Sequence, residues 1–471
     1  MLHHFRTGVF SVAVLFLVCF MCSPGWSQGT LSAWGYNNDG QLGNGTETAS
    51  TTPIAVTGIA GAGVVAGGVY HSIALRSNGT VWAWGYNNDG ELGNGTNTGS
   101  TTPVQVTAVT GVTAIAAGGF HGLALKSDGT VWTWGAGAFG QLGNGTNTSS
   151  NMPVAVTALS GMTAVAGGAY HSIALKSDGT VWAWGYNADG ELGNGTNVAS
   201  NTPVQVTGLS GIIAITSNGF HNLAIKSDGT VWGWGYGADG ELGNGTNASS
   251  NTPVEVTGLT GVTSVAAGDY HSLAIKSDGT VWAWGYNNDG ELGNGTNLAS
   301  SMPIEVNGLT GMAKIAGGAY HSIALKNDGT VWTWGANFTG QLGNGTNAAS
   351  NTPVEVTGLA EMTAVGAGAY QSLAVLGSTS AAPRMSPEQA IQQLIAEVES
   401  SGLGEGRTNS LTAKLQAASL SVQLGDQIDA IAVLRAFVNE VNALVKSGQF
   451  TVEEAAPLLS AANAIIGMLQ I

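Results

Sequence analysis

Tryptophan recurs every fifty residues along most of this chain, at Trp34, Trp84, Trp134, Trp184, Trp234, Trp284 and Trp334. A period of that length restricts the fold to stacked or radially arranged units, none of which can bury its own core alone. Seven copies run from about residue 29 to 376. A middle copy holds four short runs of strand character, Val281–Gly285, Pro303–Val306, Ala313–Ala316 and Ser322–Lys326. Asp278-Gly279, with relatives at 128, 178, 228 and 328 and with Asn78-Gly79, is a dipeptide that tight hairpins prefer. The small-residue run of the Ala-Val-Ala-Ala-Gly type suits an innermost strand, where blades converge. Four strands in each of seven copies predict a mostly β, seven-bladed propeller. Leu31–Gly35 has no strand before it to pair with and Ser372–Val375 has none after it. Pairing these two would complete the seventh blade from both termini and remove the long free edges.

Composition narrows the remaining choices. Of 471 residues 73 are glycine and only 11 proline, too many glycines for a helical protein and, with abundant Val, Ile, Leu and Trp, a poor match to collagen or disorder. A net charge of −16 would repel nucleic acid and anionic membranes. At the start, His3, His4 and Arg6 precede an apolar run from Val9 to Cys22, then Ser23, Pro24 and Gly25. Residues 1–27 thus read as a secretory signal peptide, with small residues Gly25 and Ser27 placing cleavage after Ser27. The expectation is an exported chain, periplasmic, envelope-bound or extracellular, without a membrane span once the signal is removed. Cys19 and Cys22 both fall inside that segment, so the mature protein would use no disulfides.

The domain plan is 1–27 signal, 28–376 propeller, 377–386 linker and 387–471 helical domain. From Ser386 glycine nearly vanishes and helical periodicity begins. Ser386-Pro387-Glu388-Gln389 is a capping box with proline at the first helical position, and Thr451 to Glu454 is a second. Helices are expected at about 387–401, 409–424, 427–447 and 452–469. In the third, Ile428, Ile431, Leu434, Phe437, Val438, Val441 and Val445 form one apolar stripe.

The run W-G-x-N-x-x-G-Q-L-G-x-G-T from Trp34 to Thr46, followed by G-x-x-H-S-x-A-L from Gly68 to Leu75, resembles regulator-of-chromosome-condensation repeats over about three quarters of the chain. Kelch repeats share the length but order their glycines and aromatics differently. Phe437-Val438-x-x-Val441-x-Ala443 and Ala461-Ala462-x-x-Ile465-Ile466 resemble the FIMAH-type domain, which implies an accessory module of an exported bacterial protein. The repeat resemblance implies a binding scaffold with two precedents, a guanine-nucleotide exchange factor and a secreted β-lactamase inhibitor. Exchange fits poorly with an exported chain whose fifty-residue period no insertion breaks. The expected partner is an unidentified protein or carbohydrate, basic where the acidic loops select it, bound by a monomeric propeller without a cofactor. The enzymatic alternative is a hydrolase using the propeller to bind carbohydrate, but catalysis needs unlike groups meeting at one point, and here every polar candidate recurs around the ring.

Three sets of residues are candidates for function. His71, His121, His171, His221, His271 and His321, with Gln371 in the last copy, are expected to be structural, bonding backbone where blades meet, because radial copies do not converge on one metal ion. Asp39, Asp89, Asp189, Asp239 and Asp289, with Glu91, Glu191, Glu241 and Glu291, are expected to form a solvated acidic rim that could select a basic partner. Calcium is the alternative, although no calcium-loop spacing is present. Phe139 and Phe338, in loops that replace the Tyr-Asn-Asn-Asp-Gly sequence, are either binding anchors on the same rim or products of loop repacking. Asn218 stands where six copies have glycine and is expected at positive φ. The Asn44-Gly45-Thr46 sequons read as turns.

Overall fold

In a computed structural model, the structure describes residues 30–377, 387–400, 403–424 and 426–451, and beyond these Ala455, Leu458, Leu459, Ala461, Ala462, Ile465 and Ile466. The expected signal peptide and all of the expected linker but Gly377 lie outside the described residues. The chain divides into two compact units, residues 1–379 and 380–471.

The first unit is a seven-bladed propeller of four-stranded antiparallel sheets. A typical blade runs outward from Met312–Gly317 through His321–Lys326 and Val331–Gly335 to Ser350–Glu355. The outer strand begins three residues earlier than its apolar pattern suggests, because the ladder continues past a bulge opposite Gly335. The hairpin at Asp278-Gly279 follows the same logic as its relatives. Gly279 takes φ +79°, its N–H donates to Lys276 O, and Asp278 Oδ1 accepts from the Thr280 N–H and hydroxyl at 3.0 and 2.6 Å. Asn44 Oδ1 likewise accepts from the Thr46 N–H and hydroxyl, so the sequon is an Asx turn.

Closure is antiparallel, with Leu31 opposite Val375, Ala33 opposite Leu373 and Gly35 opposite Gln371. The seventh blade therefore takes two strands from each end of the propeller sequence. Between blades lie the tryptophans. Trp34 and its six equivalents are fully buried, and each indole N–H reaches back into the preceding blade, as when Trp84 Nε1 donates to Gln41 O at 2.8 Å. The partner two residues earlier is half-buried at the hairpin end, where Arg76 or a lysine lies over Trp82, Trp132, Trp232 and Trp282 at 5.3–6.0 Å.

The histidines also join blades, though not through the backbone contact expected of them. His121 Nε2 meets Ser172 Oγ of the next blade at 2.8 Å, and that hydroxyl donates to Gln141 O. His221, His271 and His321 repeat the arrangement, while His171 meets Asn222 Oδ1 at 2.8 Å. Gln371, in the last copy, donates instead to the carbonyls of Gly68 and His71. At one junction the serine is missing: Gly122 replaces it, the Trp134 ring fills the space, and His71 Nε2 is left without a partner. His171→Ala is expected to lower unfolding free energy by about 1–3 kcal/mol, because Asn222 Oδ1 is stranded in a buried interface. Chemical denaturation of the variant checks this; a change under 0.5 kcal/mol would be inconsistent with it.

Asn218 does not adopt positive φ, and neither do its glycine counterparts. Glycine is required there because a Cβ on Gly118 would stand 2.1 Å from His121 Cε1. In the fourth copy the inner strand extends through Asn218, and Gly219 takes the bend at φ +46°.

The second unit contains α1 Pro387–Ser400, α2 Glu405–Gln423 and α3 Gln427–Lys446. The second begins four residues before its expected start, at Gly404 rather than at a side-chain cap. Leu434, Phe437 and Val441 of the expected stripe are buried with Ile391, Leu394 and Leu411. The fourth expected helix lies mostly outside the described residues; those described between 455 and 466 are helical. Among the described residues no helix is long and apolar enough to cross a membrane.

Candidate functional site

Two segments of each blade surface at the same face. One is the bend before the histidine strand, and the other is the loop after the Trp-x-Trp strand. They are stitched together, for example by Tyr36 N–H donating to Tyr370 O and Tyr86 N–H to Tyr70 O. The bends carry Tyr70, Phe120, Tyr170, Phe220, Tyr270, Tyr320 and Tyr370, and these rings form a closed annulus. Each centroid is 5.4–6.5 Å from the next, with Tyr370 returning to Tyr70 at 6.3 Å. Tyr36, Tyr86, Tyr186, Tyr236 and Tyr286 make a second tier farther from the axis, 5.9–6.5 Å from the first. Copies three and seven have Ala136 and Ala336 at the second-tier position. In copy three Phe139 supplies the missing ring, 5.1 Å from Tyr170 and 5.3 Å from Tyr186. Phe338 remains 65% exposed. Both expected anchors stand exposed on this face, Phe139 at 41% while packed against Tyr170 and Tyr186.

Inside the annulus the bends are linked blade to blade through the backbone. Val69 N–H donates to Gly119 O, Gly119 N–H to Gly168 O, Asp269 N–H to Gly318 O, and Ala369 N–H to Gly68 O. Between residues 219 and 269 the described structure has no such bond. There the Gly219 N–H turns to Asn218 Oδ1 at 3.0 Å, with Asp269 packed beside it. The position before the aromatic is Val, Gly or Ala in the other six copies, so Asp269 is the one acidic residue of the mouth. Burial pushes its pKa up to about 6. Burial first, and then the charge of Asp269, raise the hydroxyls of Tyr170 and Tyr270. Asp269 also contributes to the rise at Tyr320 and Tyr370, so its field reaches several sides of the annulus. Below the mouth the inner strands enclose a channel of about 260 Å³. Asn218 spans it to Gly317 O at 3.0 Å, and Lys314, nearer the far end, donates to Thr363 O at 2.7 Å.

The acidic rim is half of what the sequence suggests. Asp39, Asp89, Asp189, Asp239 and Asp289 are half-buried or exposed on the same face, and Asp39 shares a cleft of about 320 Å³ with Glu47 and Tyr86. Glu91, Glu191, Glu241 and Glu291 do not belong to a solvated rim, because all four are fully buried. Glu91 Oε2 accepts from the Asp89 N–H at 3.0 Å, and burial raises these carboxyls to about 7, or about 8 for Glu241. Gln41, Gln141 and Gln341 make the same contact in the other copies, which marks the glutamates as neutral isosteres. The opposite face carries the hairpin pairs Lys126–Asp128 and Lys176–Asp178 at 3.4 and 3.1 Å, whose charges offset each other.

The aromatic annulus and Asp269 were legible in the sequence as the recurring Gly-x-Tyr/Phe before each histidine, with one acidic exception. The loop departures at 139 and 338 are the larger breaks in the repeat and mask them.

The RCC1-like domain family matches residues 19–263, and the regulator of chromosome condensation (RCC1) repeat matches residues 278–325 and 328–375. No curated protein matches by sequence. Among solved structures, human WBSCR16 is 24% identical, with a TM-score of 0.68 over 74% of this chain and 99% of that one. Prp20p of Saccharomyces cerevisiae, described with its binding properties to Gsp1p and histones, is 23% identical, with a TM-score of 0.67 over 75% and 93%. Yeast RCC1 (Prp20) in the structure with Kap60 is 22% identical, with a TM-score of 0.69 over 81% and 97%. At these identities the likeness is one of fold.

Proposed function

Because this chain belongs to the RCC1-like domain family, we propose that it is an exported bacterial binding scaffold rather than an enzyme, seating a basic protein partner on the face that bears the aromatic annulus. The annulus carries this reading. Thirteen aromatic side chains, seven in the inner ring and six outside it, converge on one face, whereas packing between blades is already served by the buried tryptophans. The rim aspartates give that face a negative field, and the chain's −16 charge adds to it.

Export rests on the signal-like residues 1–27, and the helical unit fits a FIMAH-like accessory module. Prp20p is described as binding Gsp1p and histones, which favours a protein as the partner. Nucleotide exchange on a cytosolic GTPase fits neither the export signal nor the uninterrupted period. Enzyme inhibition of the β-lactamase-inhibitor type is compatible with this reading.

The test uses the mature protein as bait on envelope and medium fractions of its source, followed by affinity measurement on the partner recovered. Phe139→Ala combined with Phe338→Ala is expected to weaken binding tenfold or more, about 1.4 kcal/mol. Charge reversal at Lys126 and Lys176 should change it little. The opposite ranking would move the site to the other face.

A further inference from the structure

The mouth of the propeller combines three features. The annulus is closed, with centroids 5.4–6.5 Å apart, so its rings stand about 7 Å from the axis and leave an opening too narrow for a folded domain but wide enough for one side chain to approach several rings. Asp269 interrupts an otherwise small-residue circle at that opening, and no ion pair engages it among the described residues. The backbone link between blades is absent at this point, where Gly219 packs against Asp269 and its N–H goes to Asn218 Oδ1 instead.

A half-buried carboxylate without a cation is costly, and a cationic ligand offsets that cost. We propose that the mouth receives one arginine side chain of the partner, its guanidinium paired with Asp269 and its plane laid against the tyrosines. This rests on the assignment of the aromatic face as the binding face.

Arginine is favoured over lysine by its flat and weakly hydrated head. It stacks on aromatic faces and presents two parallel donors to a carboxylate, whereas an ammonium keeps its water. A neutral sugar would stack on the same wall but leave Asp269 unpaired. The rim aspartates add steering for basic residues flanking the arginine. Asn218, spanning the channel to Gly317, limits how far the side chain can descend.

The probe is an acetylated and amidated Gly-Ser-Arg-Ser-Gly peptide, with its citrulline analogue as the uncharged isostere, titrated into the mature protein at pH 7.5 and low salt by calorimetry. Saturable binding of the arginine peptide is expected, weakened at least tenfold by citrulline and by either Asp269→Asn or Asp269→Ala. Alanine already occupies the equivalent positions 169, 319 and 369, so the alanine variant preserves the fold. Equal binding of the two peptides, unchanged affinity in the Asp269 variants, or preference for a soluble oligosaccharide over the arginine peptide would overturn the proposal. If the arginine peptide fails to bind while partner capture stays sensitive to Phe139 and Phe338, the arginine anchor is wrong and the face assignment stands. If capture is also insensitive, both are wrong.

Discussion

The propeller is expected to be most stable near pH 6 and to weaken on both sides of it. Six histidines, at most 1% exposed, are held neutral by burial, with pKa values lowered to about 3 or 4. In the unfolded chain they titrate near 6.5, so as pH falls below that value the unfolded state takes up protons that the folded state refuses. Their contribution is complete above 6.5 and lost towards pH 4. The four buried glutamates act in the opposite sense. Folded, they keep a proton up to about 7 or 8, while unfolded they release it near 4.5. Their contribution is complete below 4.5 and lost as pH rises through 7–8. Between 4.5 and 6.5 the two sets oppose each other, and the six histidines outweigh the four glutamates, so stability falls towards acid. Linkage gives a loss of about 2 kcal/mol from pH 6 to pH 8.5 and about 7 kcal/mol from pH 6 to pH 4. Urea unfolding across pH 4–9 measures this. Replacing Glu91, Glu191, Glu241 and Glu291 by Gln, the residue already at 41, 141 and 341, should flatten the alkaline side and steepen the acid side, where the glutamates no longer offset the histidines. An alkaline slope that survives the four substitutions would show that these carboxyls are ionised in the folded state.

Gly168→Ala should cost about 3 kcal/mol, since the added methyl would lie 2.1 Å from His171 Cε1 and 2.4 Å from its Nδ1, an overpacked contact within a buried blade junction. Backbone strain is not the cause, because Gly168 is not at positive φ. The fourth copy contains the remedy: Ser217-Asn218-Gly219 places a side chain at this position by extending the strand and giving the bend to glycine. Gly168→Ala with Ala169→Gly should therefore recover most of the loss, whereas Ala169→Gly alone should not stabilise. Thermal and chemical denaturation of the three variants checks both statements. A double variant as unstable as Gly168→Ala would refute the strand-extension account.

The fifty-residue period determined the architecture by itself, because repeated strands of fixed spacing have one way to bury their tryptophans and one way to pair the two orphan ends, Leu31–Gly35 with Gln371–Val375. Turn chemistry was equally legible at Asp278-Gly279 and Asn44-Gly45-Thr46, since those side chains bond within their own loops. The tertiary structure alone decided what depends on a neighbouring blade. Glu91 and Asp89 are two residues apart and both acidic, yet one faces the blade interior and the other water. Gly118 resembles a turn glycine but is set by the His121 ring. Phe139 reads as an isolated loop aromatic, yet Tyr170 and Tyr186 make its ring part of the aromatic face. A repeat sequence records each blade's internal contacts fifty residues at a time. The annulus around Asp269 exists only when seven bends meet at one axis, and ring closure creates that convergence.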